Sequence, residues 1–432
     1  MVHFHKTTRL SQRSSTATSR VAQNAVKDRL LNGNRVLRFA RVRILVSALG
    51  VLCALCGQSL AQEWKTVADG VEYAEVRREF SGKPVNINLL RLDLKKVRLD
   101  VHHAMDAAIG TEKTSSIATR HGAFAAINAG FFRLDTTIWA GDAAGALMTN
   151  SFALSESVST RAALRIWNKP TETKVSVERI DLWVDLYVGN KLFSHVGINR
   201  ERKSDEIVLF TSEFGRSTLT SLEGIEILAD ANWRIRPSKQ TGSSLIPSGG
   251  FVISASGNKA KELSSAFKSA NQISVFVSTY QPNSEPELTI TRRFGRKYRL
   301  LDEFLLEQIV GGVPQLIKNS KIDITWEQEK SSKAFVETRH PRTAVAKLKD
   351  GKFLMLTADG RTEQSAGLDL YDLAAYFLEL GATDAMNLDG GGSTTMFLEG
   401  KVVNKPSDKE GERKVGDALL VTLRKSRSSK QK

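Results

Sequence analysis

Apolar and polar residues alternate from Val71 to His103, most clearly in Val85-Asn86-Ile87-Asn88-Leu89 and Val97-Arg98-Leu99-Asp100-Val101. That period of two predicts half-buried strands. The same alternation returns between Leu164 and Leu228, in Val175–Ile180, Leu182–Val188, Ile207–Thr211 and Ile225–Leu228, with a hairpin turn at Gly189-Asn190. Pro247 to Ile253 opens another strand, Lys259–Ala270 reads as a helix, and Ile273–Thr279 reads as a strand. From Asp369 the period changes. Leu370, Leu373, Ala374, Phe377 and Leu378 recur at helical spacing, with Asp369 as N-cap and Gly381 just past the end. Thr114–Thr119 predicts a short helical turn, and Gly122–Ile127 a strand that runs into Asn128-Ala129-Gly130-Phe131-Phe132. The pattern as a whole specifies an α+β fold: a mixed, largely antiparallel sheet core with flanking helices and a β-rich segment in the first half.

The first 61 residues carry another pattern. Arg35, Arg38, Arg41 and Arg43 precede an apolar run from Ile44 to Cys56, and Ser59-Leu60-Ala61 suits cleavage before Gln62. That is the layout of a secretory signal peptide after a basic extension. The run is shorter than a bilayer requires, so no permanent membrane span is expected, and the expected location is periplasmic or secreted. Residues 62–424 then form one domain, and 425–432 a basic, disordered tail. Both cysteines, Cys53 and Cys56, lie in the leader, so stability must come from packing and not from disulfides. The leader also holds ten basic residues and one acid, and its removal lowers the net charge from +15 to +6. A nucleic-acid partner loses its electrostatic support.

Candidate chemistry concentrates in the last third. Ala385-Met386-Asn387-Leu388-Asp389 is an apolar strand that ends in an acid, followed by Gly390-Gly391-Gly392 and the hydroxyls of Ser393, Thr394 and Thr395. Three glycines in succession are costly unless the backbone must turn sharply or let something approach. Here their N–H groups and the hydroxyls predict an anion cradle. Upstream, Arg342–Leu348 and Lys352–Ala358 flank Lys349-Asp350-Gly351. If Asp350-Gly351 is a two-residue turn, Lys349 pairs with Lys352 and Arg342 lies opposite Asp359, with His340 and Arg361 just beyond. A loop one residue longer breaks that pairing. No Walker loop, dinucleotide fingerprint, serine-hydrolase elbow or histidine spacing for zinc occurs. A hard divalent cation such as calcium, held by Asp389, Asn387 or Asp359, is compatible with the sequence, which assigns no cofactor.

Five segments resemble the phosphodiester glycosidase family: Ile127-Asn128-Ala129-Gly130-Phe131-Phe132; Gly311-Gly312-Val313-Pro314-Gln315-Leu316; Arg342-Thr343-Ala344-Val345; Asp359-Gly360-Arg361 with Ser365 and Gly367; and Asn387 through Thr395. Ala129 and Ala346 depart from the family pattern, both with small side chains. The cysteine-rich modules of animal members are absent, so their glycoprotein substrate does not carry over. The resemblance implies an exported hydrolase that cleaves the glycosidic bond of a sugar-1-phosphodiester in an envelope glycan or exopolysaccharide. It implies Asp389 and Asp359 as catalytic residues, in either order of roles. Asn128, Arg342, Arg361, Asn387, Gly390, Gly391, Gly392, Ser393 and Thr394 are the implied substrate contacts, with the two arginines clamping the phosphate. A non-catalytic glycan-binding or polysaccharide-assembly protein on the same fold is the alternative of another class. A phosphodiesterase that cuts the P–O bond is a third.

Overall fold

A computed structural model describes residues 62–425 apart from 233, 271, 283–286 and 291–306. The leader and most of the basic tail lie outside the described residues. The chain divides into two units at Gln62/Glu63, and the sheets and helices of the described residues belong to the second.

An eight-stranded sheet forms its centre. It runs in the order 65–68, 71–80, 83–92, 353–358, 342–348, 382–387, 315–318 and 321–322, every pair antiparallel. The strands Arg342–Leu348, Phe353–Ala358 and Ala382–Asn387 are buried almost throughout, because both faces of the sheet are covered. On one face lies the helix Leu370–Glu379, whose Leu370, Leu373, Ala374 and Phe377 pack on Ile87, Leu89, Ala344, Ala346, Leu354 and Leu356. Asp369 caps it by accepting from the Asp372 N–H at 2.8 Å. Phe377→Ala would empty the middle of this layer, at a cost of about 3–5 kcal/mol.

The other face, carrying Val345, Phe353, Met355 and Met386, packs on a five-stranded antiparallel sheet. That sheet has the order 401–402, 396–398, 125–128, 417–423 and 97–103. Its outer surface is closed by the helix Thr114–Arg120 through Ile117 and Ala118. Helix, sheet, sheet and helix thus stack as four layers, and the alternating strands read from the sequence fill the two middle ones.

The β-rich segment builds a third sheet whose spine is the sixteen-residue strand Thr173–Val188. Its first half sends Val175 and Val177 into the core shared by the two sheets. Its second half, Ile180 to Val188, packs with the helix Gly257–Ser269 through Leu263. The sequence predicts two strands here. They are one, because the alternation of buried and half-exposed positions barely breaks at Arg179.

Candidate active site at the crossover between two sheets

The strand Ala382–Asn387 leaves the central sheet at Asn387, passes through Leu388 and Asp389, turns over Gly390–Ser393, and enters the five-stranded sheet as Met396–Leu398. The glycine motif is therefore the crossover between the sheets. Gly391 has φ near +61°, which disfavours any side chain. A Cβ at Gly391 would sit 3.0 Å from the Arg361 guanidinium, and one at Gly392 would collide with Arg413 and Asp408. The glycines are bare because two arginines come down onto the turn.

Asn128 fastens this turn from the neighbouring sheet. Its Nδ2 donates to the Asp389 carbonyl at 2.7 Å, and its Oδ1 accepts from the Thr343 hydroxyl at 2.7 Å and the Thr395 N–H at 3.1 Å. Asn387 Nδ2 donates to the carbonyls of Val313 and Leu388. Both side chains are fully buried and brace the loop, with Asn387 Oδ1 left without a partner.

Asp389 is half-buried as a residue, and its carboxyl accepts from the Gly390 N–H at 3.0 Å. Burial lifts its pKa to about 6, against the pull of the Ser393 hydroxyl, the Gly390 N–H and the Arg413 charge. Ser393 Oγ makes no hydrogen bond of good geometry, and the hydroxyls of Thr394 and Thr395 are buried without partners. Asp417 stands close by on the strand Asp417–Leu423. Its Oδ1 accepts from the Gly130 N–H at 2.5 Å, while its buried Oδ2 has no partner. Burial, opposed by that N–H and reinforced by the charge of Asp389, raises Asp417 to about 7.

The expected Arg342–Asp359 pair does not form. Leu348 pairs with Lys352 across a three-residue loop, and Arg342 falls opposite Ala358. The Arg342 guanidinium is buried and donates to three carbonyls, Leu368 at 2.9 Å, Phe335 at 2.9 Å and Thr338 at 2.7 Å. Burial lowers its pKa to about 10. It is a strut under the site and not a phosphate clamp. Asp359 is buried too, its Oδ1 accepting from Asn404 Nδ2 at 3.2 Å and the Lys405 N–H at 3.0 Å, and burial holds its pKa above the usual range. Asn404 in turn donates to the Thr394 carbonyl and accepts from the Met396 N–H, so Asp359 supports the turn from behind.

Arg361 does reach the site. It has φ near +65°, lies exposed over Gly391, and donates to Ser407 at 3.3 Å. Burial, then the charges of Arg342 and Arg361, keep nearby His340 below its ordinary pKa. The second arginine over the turn, Arg413, holds Asp408 with two bonds at 2.7 and 3.1 Å. Sequence reasoning missed it because the charged run from Asp408 to Arg413 looks like a solvated loop. It missed Asp417 as well. The signal there was an acid at the head of the apolar run Ala418-Leu419-Leu420-Val421, a place where a carboxylate is expensive.

The adjacent His102 and His103 offer no zinc spacing in the sequence, yet the fold stacks His102 on His121 beside Asp106. Arg120 donates to both Asp106 and His121, so a protein cation already serves that cluster.

Residues 224–422 match the family described as phosphodiester glycosidase. Over that stretch, a little under half of its length, the chain resembles the phosphodiester glycosidase family. It is 39% identical over 111 residues to mouse N-acetylglucosamine-1-phosphodiester alpha-N-acetylglucosaminidase and 38% over 111 residues to the human one, in each case 23% of this chain and 21% of the relative. It is 40% identical over 89 residues to a prophage-derived uncharacterized protein of Bacillus subtilis, covering 21% of this chain and 14% of that protein. The matches thus span about a fifth or less of these curated relatives. Two solved structures share the fold: a hypothetical protein from Synechocystis (TM-score 0.65, 21% identity, 85% of this chain and 64% of that one) and a putative exported protein from Burkholderia pseudomallei (TM-score 0.65, 23% identity, 79% and 74%).

Proposed function

We propose that this chain is a phosphodiester glycosidase that hydrolyses a sugar-1-phosphodiester, with Asp389 as the reacting carboxylate. The observation that carries the reading is a half-buried acid of raised pKa at the foot of a glycine turn overhung by Arg361 and Arg413. The phosphate sits between the two guanidinium groups, which bind its oxygens by charge-assisted hydrogen bonds. Above pH about 6, Asp389 is ionised and takes a proton from a water whose oxygen bonds to the anomeric carbon. As that bond forms, the bond from the anomeric carbon to the phosphate oxygen breaks, and the phosphate monoester leaves as an anion. Such a leaving group needs no proton, so one carboxylate suffices where an ordinary glycosidase uses two. Asp359, through Asn404, is a positioning residue for the turn.

The signal-peptide pattern of residues 35–61 supports an exported protein, and with it an envelope or exopolysaccharide glycan as the source of the phosphodiester. The test is hydrolysis of a model N-acetylglucosamine-1-phosphodiester in oxygen-labelled water. Label in the released sugar is expected, and label in the phosphate would reject cleavage at the sugar carbon. Asp389→Asn should abolish release. A wild-type chain inert across a panel of sugars, whose glycan affinity nonetheless changes with Asp389→Ala, would favour a binding protein.

A further inference from the structure

A cavity of about 520 Å³ opens in the β-rich sheet, away from the glycine turn, lined by Glu156–Thr160, Arg179, Asp181, Trp183, His195, Arg200 and Lys330 among others. Its volume falls within the range of small-ligand sites, about 300–1,000 Å³. Three features point to what it takes. The first is a fixed aromatic wall: the Trp183 ring is held between Tyr280, at a centroid distance of 3.7 Å, and His195, at 4.2 Å. The second is a pair of buried polar atoms without hydrogen-bond partners, Arg179 Nε and Ser159 Oγ. The acid nearest to Arg179, Glu329, lies 3.9 Å away, and its oxygens already accept from Thr325, the Gln315 N–H and the Ala162 N–H. The third is charge. Arg200 is bonded to both Glu156 and Glu206, and the other charges on the lining are Arg179 and Lys330 with Asp181.

An aromatic wall, hydroxyls, two carboxylates and an arginine whose Nε lacks an acceptor form a recognition set for a sugar ring bearing an anionic group. The cavity also adjoins the catalytic layer. Ser157 and Ser159 line both it and a small pocket walled by Phe131, Gly311 and Gly312, and Gly312 lies against the Asn387 carbonyl at the root of the glycine motif.

We propose that this cavity is a second carbohydrate subsite, which takes an anionic sugar unit of the same polymer that presents its phosphodiester to Asp389. That both units belong to one polymer rests on the hydrolase reading, whereas binding at the cavity is independent of catalysis. The full chain is titrated calorimetrically with a hexauronate, which contains no phosphodiester, and with a neutral hexasaccharide. The hexauronate should bind, the neutral glycan about tenfold more weakly, and Arg179→Gln should remove the difference. Trp183→Ala should weaken hexauronate binding about tenfold, a loss of ~1.4 kcal/mol, while kcat/KM on a short sugar-1-phosphodiester stays at the wild-type value. Should Trp183→Ala fail to fold, Val158→Glu tests the same point. Val158 is 68% exposed at the rim, and a carboxylate there should repel the ligand without disturbing the core. Absence of hexauronate binding to the wild-type chain, or equal binding by wild type and both variants, overturns the proposal. A chain that binds hexauronate here yet releases no sugar from any phosphodiester keeps the subsite and sinks only the hydrolase reading.

Discussion

Asn128→Ala separates a scaffold asparagine from a ligand-binding one. The substitution strands three groups at once: the Asp389 carbonyl, the Thr395 N–H and the Thr343 hydroxyl, each now bonded to the Asn128 amide. A buried polar group left without its partner costs about 1–3 kcal/mol. The hydroxyl can rotate toward another acceptor, so the working figure is about 3–5 kcal/mol. Against a typical stability of about 5–15 kcal/mol, that is a large fraction. Urea unfolding of the ligand-free chain, monitored by tryptophan fluorescence, should show the whole loss. Asn128→Asp keeps an acceptor oxygen and, at a pH where the carboxyl is protonated, offers an O–H donor in place of the amide N–H, so there it should lose less than alanine. If Asn128→Ala unfolds within about 1 kcal/mol of wild type while KM rises, the asparagine is a substrate contact and does not brace the turn.

The two arginines flanking the strand Arg342–Leu348 and the loop after Ala358 should part company. Arg361→Gln should raise KM for a phosphodiester about tenfold at unchanged melting temperature, whereas Arg342→Gln should lower the melting temperature by exposing three carbonyls to unmet demand, and added phosphate should not restore it. Arg413→Gln removes a charge that lowers the Asp389 pKa, so the acidic limb of kcat/KM, expected near pH 6, should move upward. Asp389 and Asp417 both titrate in the folded chain above the ordinary carboxylate value of about 4. Each therefore favours the folded state fully below about pH 4, and that contribution is lost as pH rises through about 6 for Asp389 and about 7 for Asp417. Asp417→Asn should accordingly gain in melting temperature relative to wild type between pH 4 and pH 8. A constant difference across that range would mean that Asp417 ionises normally.

The strands and the capped helix were legible because burial on one face imposes a period that the sequence displays. The helix Leu370–Glu379 and the hairpin at Gly189-Asn190 come out where the pattern places them. The register of the other hairpin did not, although its turn was recognised. Asp350-Gly351 suggests a two-residue turn, but Gly351 takes φ near +82° as the last residue of a three-residue loop, and a one-residue slip sends Arg342 and Asp359 to unrelated surroundings. Asp389, the glycines and Arg361 were visible because they form one string or come just after a strand end. Arg413 and Asp417 were not, since their meaning depends on which strand lies beside them, and that pairing links residues nearly three hundred positions apart.

The crossover between the sheets also governs when the site comes into being during folding. Asn128 and Asp389 are separated by 261 residues, and the turn is held only once both sheets have formed and met. Contacts of such separation close late, because the loop entropy must be overcome first. Catalytic competence therefore reports the last stage of assembly. A refolding chain recovers its helical and strand signals before it recovers turnover, and loss of the strand Asp417–Leu423 takes an inner strand from the five-stranded sheet and Asp417 from the site at once.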